Sequence, residues 1–265
     1  MTKYLLSSVV AFAAFSLVAC SDAAAVSDGE STESDIKIAP APTAAPPVTP
    51  APTGPAMPAN LHWFRNSAER QALSRQTYSF ATIQLEEKIG YRFSKQAWAV
   101  VLDADETILD NSQFQKESFE QNLAYSPVRW TAWVHRKEAK ATPGSVAFVK
   151  RVHSLGGKVV IVTNRSALEC PDSELNMKQQ GLAVDAVLCK ADTSDKNPRF
   201  QAVAAGTATP KLAALEVLMF VGDNIQDFPA LDQTATTDAK LADFGSRFFM
   251  MPNPMYGSWE KNAQN

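Results

Sequence analysis

The sequence predicts an α/β fold: a parallel sheet of five strands with helices on both faces and a small helical, aromatic-rich cap. Short apolar segments rich in Val alternate with helical segments, which is typical of parallel strands joined by crossover helices. Several of these apolar segments end in acidic or hydroxyl side chains, at the edge where such sheets bind ligands. The predicted strands are 98–102, 158–163, 185–189, 217–221 and 248–251.

Composition excludes several classes of function. The chain has 265 residues, 45% of them apolar, which is enough for one sizeable core and a tail. Its net charge of −3 gives no sign of a nucleic-acid partner, which would require a basic excess. The three histidines are scattered, and no Cys-x-x-Cys or His-x-x-x-His spacing occurs, so we do not expect a His/Cys zinc site.

The first 19 residues read as an export signal. Residues 4–19 are apolar apart from serines and are too short for a comfortable membrane span of about 20 residues. The run Leu17–Cys20 resembles the lipobox of bacterial lipoproteins. That resemblance implies acylation of Cys20 and an exported lipoprotein at the outer membrane or its periplasmic face. Ordinary cleavage after Ala19 and a retained anchor are the alternatives.

Residues 20–59 are predicted to form a disordered tether. The stretch 40–58 holds eight of the 16 prolines, interleaved with Ala and Thr. Such a segment buries too little apolar area to offset the entropy of ordering, and its prolines favour extended polyproline II. We expect the tether to hold a domain at 60–265 away from a membrane. A proline-rich ligand for a partner domain is the minor alternative.

The helical elements follow from apolar periodicity. The segment 61–89 predicts one long helix or two shorter ones, with Gly90 as the end signal. The insert 111–155 should be mostly helical, and its many aromatic rings would serve as core, as a lid over a site, or as an interface, so the oligomeric state stays open. Further helices are expected at 145–155, 174–180 and from residue 200.

Cys170 and Cys189 fall near the ends of neighbouring predicted strands. In an exported protein they would pair, for roughly 3 kcal/mol of stabilisation. Two buried free thiols are the alternative.

Asp103 and Asp105 directly follow the first strand. Carboxylates at i and i+2 of an extended backbone point to the same side, and two close like charges require a cation or a proton. A helix cap is one alternative. A calcium loop is excluded, because its sixth and twelfth positions would be Ile108 and Phe114 instead of Gly and Glu.

Later strand ends add further polar groups at the same edge, so that the set in chain order is Asp103, Asp105, Thr163, Lys196, Asp223 and Asp227. This set resembles the four motifs of the haloacid dehalogenase (HAD) superfamily of aspartate-nucleophile phosphohydrolases, here 102–107, 162–165, Lys196 and 222–228. The runs 63–78, 103–111, 194–196 and 252–259 resemble the class C nonspecific acid phosphatases, which are bacterial surface lipoproteins of the four-aspartate subgroup. The resemblance implies a Rossmann-like sheet.

The resemblance also implies a Mg²⁺-dependent acid phosphatase. Asp103 would attack phosphorus to form an aspartyl-phosphate, and Asp105 would act as general acid and then general base. Mg²⁺ would bind Asp103, the backbone carbonyl of Asp105, and Asp223. Asp227 would orient Asp223 or a coordinated water.

Four further residues would contact the substrate or its charge. Thr163 and the backbone amide of Asn164 would hold phosphoryl oxygens, and Lys196 would offset the accumulated negative charge. Tyr256 would contact the substrate's ring. The implied substrates are 5′-nucleotides and aryl phosphates, with no nucleic-acid polymer as partner. A phosphotransferase using the same intermediate and a non-catalytic binding lipoprotein remain the alternatives.

Overall fold

The structure is a computed structural model that describes residues 55–264. In chain order, its strands are β1 (Trp98–Leu102), β2 (Leu109–Asp110), β3 (Lys140–Ala141), β4 (Lys158–Ser166), β5 (Ala186–Lys190), β6 (Glu216–Gly222) and β7 (Phe248–Met250). Its α-helices are α1 (Ala59–Asn66), α2 (Ala68–Gly90), α3 (Ser112–Glu120), α4 (Pro127–Arg136), α5 (Ser145–Ser154), α6 (Cys170–Gln179), α7 (Asn197–Ala205) and α8 (Asp238–Leu241). The predicted signal peptide, Cys20 and most of the predicted tether lie outside the described residues.

The central sheet has five parallel strands in the order β5-β4-β1-β6-β7. The predicted fold class is therefore confirmed. The chain builds outward from β1 to one edge and then returns to build the other edge, so the strand order reverses at β1. In such sheets, the crevice at the carboxyl end of the reversal point is where ligands bind.

Helices cover both faces of the sheet, so successive residues of β1 are buried in two different cores. Val100 and Leu102 belong to a core that includes side chains of α2 and α5. Ala99 and Val101 belong to a second core that includes side chains of α7. All five residues of β1 are buried, which explains why its sequence is continuously apolar instead of alternating.

The predicted amino-terminal helical region is two helices, α1 and α2. Ser67 separates them: its backbone is extended, and its hydroxyl accepts a hydrogen bond from the Arg70 amide at 3.0 Å. This is the geometry of a helix N-cap. Gly90 is the last residue of α2 instead of the first residue after it.

The insert after β1 is mostly helical, as predicted, but it also contains a pair of strands that the sequence did not indicate. β2 and β3 pair antiparallel and bracket the segment 111–139, which we call the cap. The cap contains α3 and α4, and the ring of Phe114 lies 5.3 Å from Trp130 and 6.4 Å from Trp133, centroid to centroid.

Several boundaries differ from those predicted. α6 begins at Cys170 and α7 at Asn197, both several residues earlier than expected, and β4 extends to Ser166. Proline in the first turn accompanies both early starts and is preorganised for helix.

Cys170 and Cys189 form a disulfide, as the first of the two alternatives predicted. It joins the first residue of α6 to β5. Separately, none of the helices within residues 55–264 combines the length and apolarity needed to cross a bilayer.

Candidate active site

The site begins where β1 ends. Asp103 continues the strand direction, and its amide donates to the carbonyl of Val221 at 3.0 Å, which fixes it to β6. The chain then turns sharply: Glu106 has a φ of +54°, and the amides of Ile108 and Leu109 both donate to the carbonyl of Ala104. This tight loop holds the two predicted acids, Asp103 and Asp105, at the carboxyl edge of the sheet.

Lys196 is buried between two carboxylates. Its ammonium group donates to Oδ1 of Asp103, and to Oδ1 of Asp227 at 2.6 Å. All three residues are less than a tenth exposed. Burial alone would lower the pKa of Lys196, but Asp103 and Asp227 outweigh it and raise that pKa above its usual range, so Lys196 stays charged.

Three carboxylates form a group that fits a divalent cation. Asp103, Asp223 and Asp227 each offer an oxygen, and these oxygens lie within 4.8 Å of one another. Within the described part of the chain, the one ammonium in contact with this group is that of Lys196, which leaves an excess of two negative charges when all three acids are ionised. Oxygen ligands and this charge match the preference of Mg²⁺.

The pKa values reflect this excess of acid. Burial, with a contribution from the charges of Asp227 and Asp105, raises the pKa of Asp103 to about 7 although Lys196 opposes the shift. Burial, with the charges of Asp227 and Asp103, raises the pKa of Asp223 well above its usual range. A bound cation would favour the ionised forms of these two carboxyl groups and would lower their pKa values again.

Asp223 is held in place by neutral donors. The amide group of Asn253 donates to Oδ2 at 2.8 Å, and the hydroxyl of Thr107 donates to Oδ1 at 3.3 Å. Asp227 closes the same turn, because its Oδ2 accepts from the backbone amide of Asn224 at 2.9 Å. The two acids after β6 are thus fixed by different elements.

Asp105 stands apart from the three-carboxylate group. Its Oδ1 accepts from Arg165 and from Asn111, with the shortest contact, to Nη2 of Arg165, at 2.7 Å. Its side chain is partly exposed and lines a cleft. The separation gives the two acids after β1 different partners and therefore room for different roles.

The end of β4 contributes Thr163 and Asn164. Thr163 is fully buried, and its hydroxyl accepts from the amide of Arg165 at 3.1 Å. Asn164 is exposed and lines the cleft, and its Oδ1 accepts from Arg199 at 2.7 Å. Arg199 also donates to the carbonyl of Thr163, so it holds the strand end in place.

The cleft has a volume of about 640 Å³. Asp103, Asp105, Lys196, Asp223 and Asp227 line its polar side. The other lining residues include three aromatic side chains, two from the cap and one from the carboxyl-terminal segment: Tyr125, Trp130 and Tyr256.

Tyr256 is tied to the acid-bearing loop. Its hydroxyl donates to Oε2 of Glu106, the residue after Asp105. The other oxygen of Glu106, Oε1, accepts a hydrogen bond from the backbone amide of Asn111 at 2.7 Å. Burial, with the nearby charges of Asp105 and Asp223, raises the pKa of Glu106 well above its usual range.

Comparison with known proteins identifies the family. A family model described as HAD superfamily, subfamily IIIB (acid phosphatase), matches residues 23–259. The chain belongs to this acid phosphatase subfamily. The phosphatase is 31% identical to the class C acid phosphatase from Bacillus anthracis; the match covers 76% of this chain and 85% of that one, with a TM-score of 0.69.

A second structure of the same Bacillus anthracis enzyme and one plant protein also match. A structure of the Bacillus anthracis class C acid phosphatase with tungstate bound is 30% identical, covers 76% of the phosphatase and 85% of that chain, and gives a TM-score of 0.68. The stem 28 kDa glycoprotein of Glycine max is 22% identical over 197 residues, which are 74% of this chain and 71% of that protein. The predicted family and enzyme class are confirmed.

The structure of the phosphatase brings the residues predicted from sequence to one edge of the sheet. Asp103, Asp105, Asn164, Lys196, Asp223, Asp227 and Tyr256 line the cleft, and Thr163 is buried beside Asn164. Their chemical roles remain predictions.

Sequence reasoning missed four residues that hold this site together: Glu106, Asn111, Arg165 and Asn253. Arg165 lies in the run 162–165 that resembles the superfamily motif, but the predicted strand ended at Thr163, so the side chain of Arg165 was not placed at the site. Asn111 and Asn253 lie in the runs 103–111 and 252–259 that carry the family resemblance, but no spacing in the sequence showed that their side chains reach the site.

Proposed function

We propose that this acid phosphatase is a Mg²⁺-dependent phosphomonoesterase that acts through an aspartyl-phosphate on Asp103 and is tethered outside the cytoplasm. One observation supports the chemistry above all others. Asp103 is buried, paired with Lys196 and grouped with Asp223 and Asp227, whereas Asp105 has its own separate partners. The two acids after β1 therefore suit a nucleophile and a proton carrier.

The first step forms the covalent intermediate. Among the described residues, only Lys196 donates to the carboxylate of Asp103, and it donates to Oδ1. An oxygen of Asp103 attacks phosphorus, the ester P–O bond breaks, and the leaving oxygen takes a proton from Asp105. Lys196 offsets the negative charge that the phosphoryl group brings to the buried acids.

The second step releases phosphate. Water attacks the phosphorus of the aspartyl-phosphate while Asp105 takes its proton, and the bond between phosphorus and Asp103 breaks. Thr163 and the backbone amide of Asn164, at the end of β4, are the proposed donors to phosphoryl oxygens. Mg²⁺, held by Asp103, the backbone carbonyl of Asp105, and Asp223, would supply positive charge at the phosphoryl oxygens.

The substrate class is proposed from the cleft. Its aromatic side chains, Tyr125, Trp130 and Tyr256, suit a flat ring, as in an aryl phosphate or a 5′-nucleotide. The Bacillus anthracis relative holds tungstate, a tetrahedral oxyanion like phosphate. The tungstate supports a phosphoryl group as the part bound near the acids, and the aromatic lining supports an aromatic leaving group or base.

The cellular location is proposed from the predicted signal peptide alone. The lipobox-like run ending at Cys20 supports a lipoprotein anchored at the outer membrane or its periplasmic face. Labelled fatty acid should be incorporated into the parent and not into a Cys20→Ala variant. Equal labelling of both would contradict the lipid anchor.

The activity is tested on protein stripped of metal with EDTA. Hydrolysis of p-nitrophenyl phosphate and of a 5′-nucleotide should be lost and should return with Mg²⁺. Activity that survives EDTA would contradict the metal requirement. Product analysis with an alcohol acceptor should yield inorganic phosphate, and transfer to the alcohol as the main product would instead identify a phosphotransferase.

A further inference from the structure

The carboxylate of Asp105 is held by one oxygen only. Oδ1 accepts three hydrogen bonds: from Nε of Arg165 at 2.9 Å, from Nη2 of Arg165 at 2.7 Å, and from Nδ2 of Asn111 at 2.8 Å. No donor within residues 55–264 reaches Oδ2. Since Asp105 lines the cleft, its free oxygen is the one left to meet a substrate.

Arg165 is fixed on several sides. Its side chain is only 1% exposed, and its Nη1 donates to the hydroxyl of Ser173 in α6 at 3.1 Å. Nη2 also donates to Oδ1 of Asn111 at 3.1 Å. Because a guanidinium is planar, contacts at both ends and along one side leave it little freedom to rotate.

Asn111 connects α4 of the cap to the same carboxylate of Asp105 through hydrogen bonds. Its Oδ1 accepts from Nε1 of Trp133, in α4, at 2.9 Å as well as from Arg165. Two donors on the oxygen determine which way the amide group faces, so Nδ2 is directed at Asp105. Both Asn111 and Trp133 are buried.

An arginine that only neutralises a buried carboxylate commonly donates from two of its nitrogens, one to each carboxylate oxygen. Arg165 instead directs two N–H groups to the same oxygen of Asp105. This arrangement fixes the rotation of the carboxylate about its own axis, and it does so without occupying Oδ2.

We propose that Arg165, braced by Ser173 and Asn111, is the positioning residue that turns Oδ2 of Asp105 towards the leaving oxygen of the substrate. The proposal rests on the proposed role of Asp105 as general acid. Through Asn111 and Trp133, the same network joins the cap to the proton carrier.

The experiment compares two leaving groups in an Arg165→Met variant. An alkyl phosphate such as glycerol phosphate needs a proton on its leaving oxygen, whereas p-nitrophenolate leaves readily without one. We expect kcat/KM for the alkyl phosphate to fall on the order of 100-fold, as a misplaced catalytic group typically produces. This constant reports the steps up to departure of the leaving group and not the later attack of water, in which Asp105 also takes part. The kcat/KM for p-nitrophenyl phosphate should fall by only a few-fold, because departure of p-nitrophenolate depends less on the acid.

The matched control is Arg70→Met. Arg70 is equally buried and pairs with Asp110 at 3.0 Å, but it does not contact Asp105. The Arg70→Met substitution should change kcat/KM for the two substrates by the same factor. An Arg165→Met enzyme with the same factor for both substrates would show a structural role only and would overturn the proposal.

Two measurements keep the test decisive. If Arg165→Met does not fold, Arg165→Lys takes its place, because Lys retains the buried charge but cannot donate two hydrogen bonds to one oxygen as Arg165 does. This variant should still lower the ratio of kcat/KM for the alkyl phosphate to kcat/KM for the aryl phosphate. An unchanged ratio would overturn the proposal. Asp103→Asn separates this inference from the proposed function. If Asp103→Asn is inactive and the ratio is unchanged in the Arg165 variants, only the positioning role fails.

Discussion

Lys196 bridges Asp103 and Asp227, donating one hydrogen bond to each carboxylate from a side chain that is 4% exposed. Asp103 follows β1, Asp227 follows β6, and Lys196 is the residue that precedes α7. A single buried cation therefore holds three separate elements of the phosphatase at one point. Removing it leaves both acids without a salt-bridge partner among residues 55–264.

Lys196→Met should destabilise the metal-free protein. Breaking a buried ion pair on one side typically costs about 3–5 kcal/mol, because the remaining charge is buried and unpaired. We expect a loss of that order in the free energy of unfolding with EDTA, and partial recovery with Mg²⁺, which binds the native state. Urea unfolding measures both. Unchanged stability in EDTA would contradict the bridging role, and Lys116→Met, at an exposed pair, is the control.

Tyr256→Ala tests the proposed contact with the substrate's ring. Loss of one aromatic contact should raise KM for an aryl phosphate about fivefold and change KM for a small alkyl phosphate much less. Tyr256→Phe keeps the ring and loses the hydroxyl that contacts Glu106, so it should retain the aryl preference. An equal rise in KM for both substrates in Tyr256→Ala would remove the ring-binding role.

The disulfide is expected to stabilise the fold by closing a loop in the unfolded chain and so lowering its conformational entropy. Cys170 and Cys189 are separated by 19 residues, and closing a loop of that length in the unfolded chain is worth about 3 kcal/mol. A Cys170→Ala, Cys189→Ala double variant should lose about that much free energy of unfolding. Stability equal to the parent would show that the bridge does not constrain the unfolded chain in this way.

Asp185 should stabilise the protein at neutral pH, and this contribution should be lost in acid. Burial alone would raise the pKa of Asp185, but hydrogen bonds from the Val159 amide at 2.8 Å, from Lys158 at 2.9 Å and from His153 outweigh it and lower that pKa. A carboxyl group with a lowered folded-state pKa contributes stability above its unfolded pKa of about 4. That contribution is lost as the pH falls through the folded-state pKa.

Asp185→Asn should therefore lower the free energy of unfolding by about 1 kcal/mol at neutral pH, since the pair is partly exposed and screened. The difference from the parent should shrink as the pH falls below about 4. Denaturant unfolding over a pH series measures it. Asp243→Asn, at an exposed and longer ion pair, should change little at any pH, and a difference for Asp185→Asn that grows in acid would refute the account.

The parts of the fold that sequence predicted are those with local signals. β1 was predicted at its observed limits, 98–102, because a strand buried on both faces is continuously apolar and ends abruptly at an acid. β2 and β3 were missed, since two-residue strands about 30 positions apart carry no periodicity. Their pairing depends on where the cap folds back.

The site divides in the same way. Residues at strand ends, such as Asp103 and Asp223, were predictable because parallel strands bring their carboxyl ends to one edge. Asn253 reaches Asp223 from the carboxyl-terminal segment, and Trp133, in α4, reaches Asn111, which lies 22 residues earlier at the start of the cap. Contacts of this kind depend on tertiary structure and leave no spacing in the sequence.

Turnover of p-nitrophenyl phosphate by an Asp103→Asn variant tests whether Asp103 is the nucleophile. Asn has nearly the same shape but cannot form the aspartyl-phosphate, so the account predicts a loss of more than about a thousandfold in kcat. The variant should show a circular dichroism spectrum like that of the parent. Asp110→Asn, at an acid after the same loop that pairs with Arg70, should retain most of its turnover. Turnover by folded Asp103→Asn at the parent rate would contradict the account.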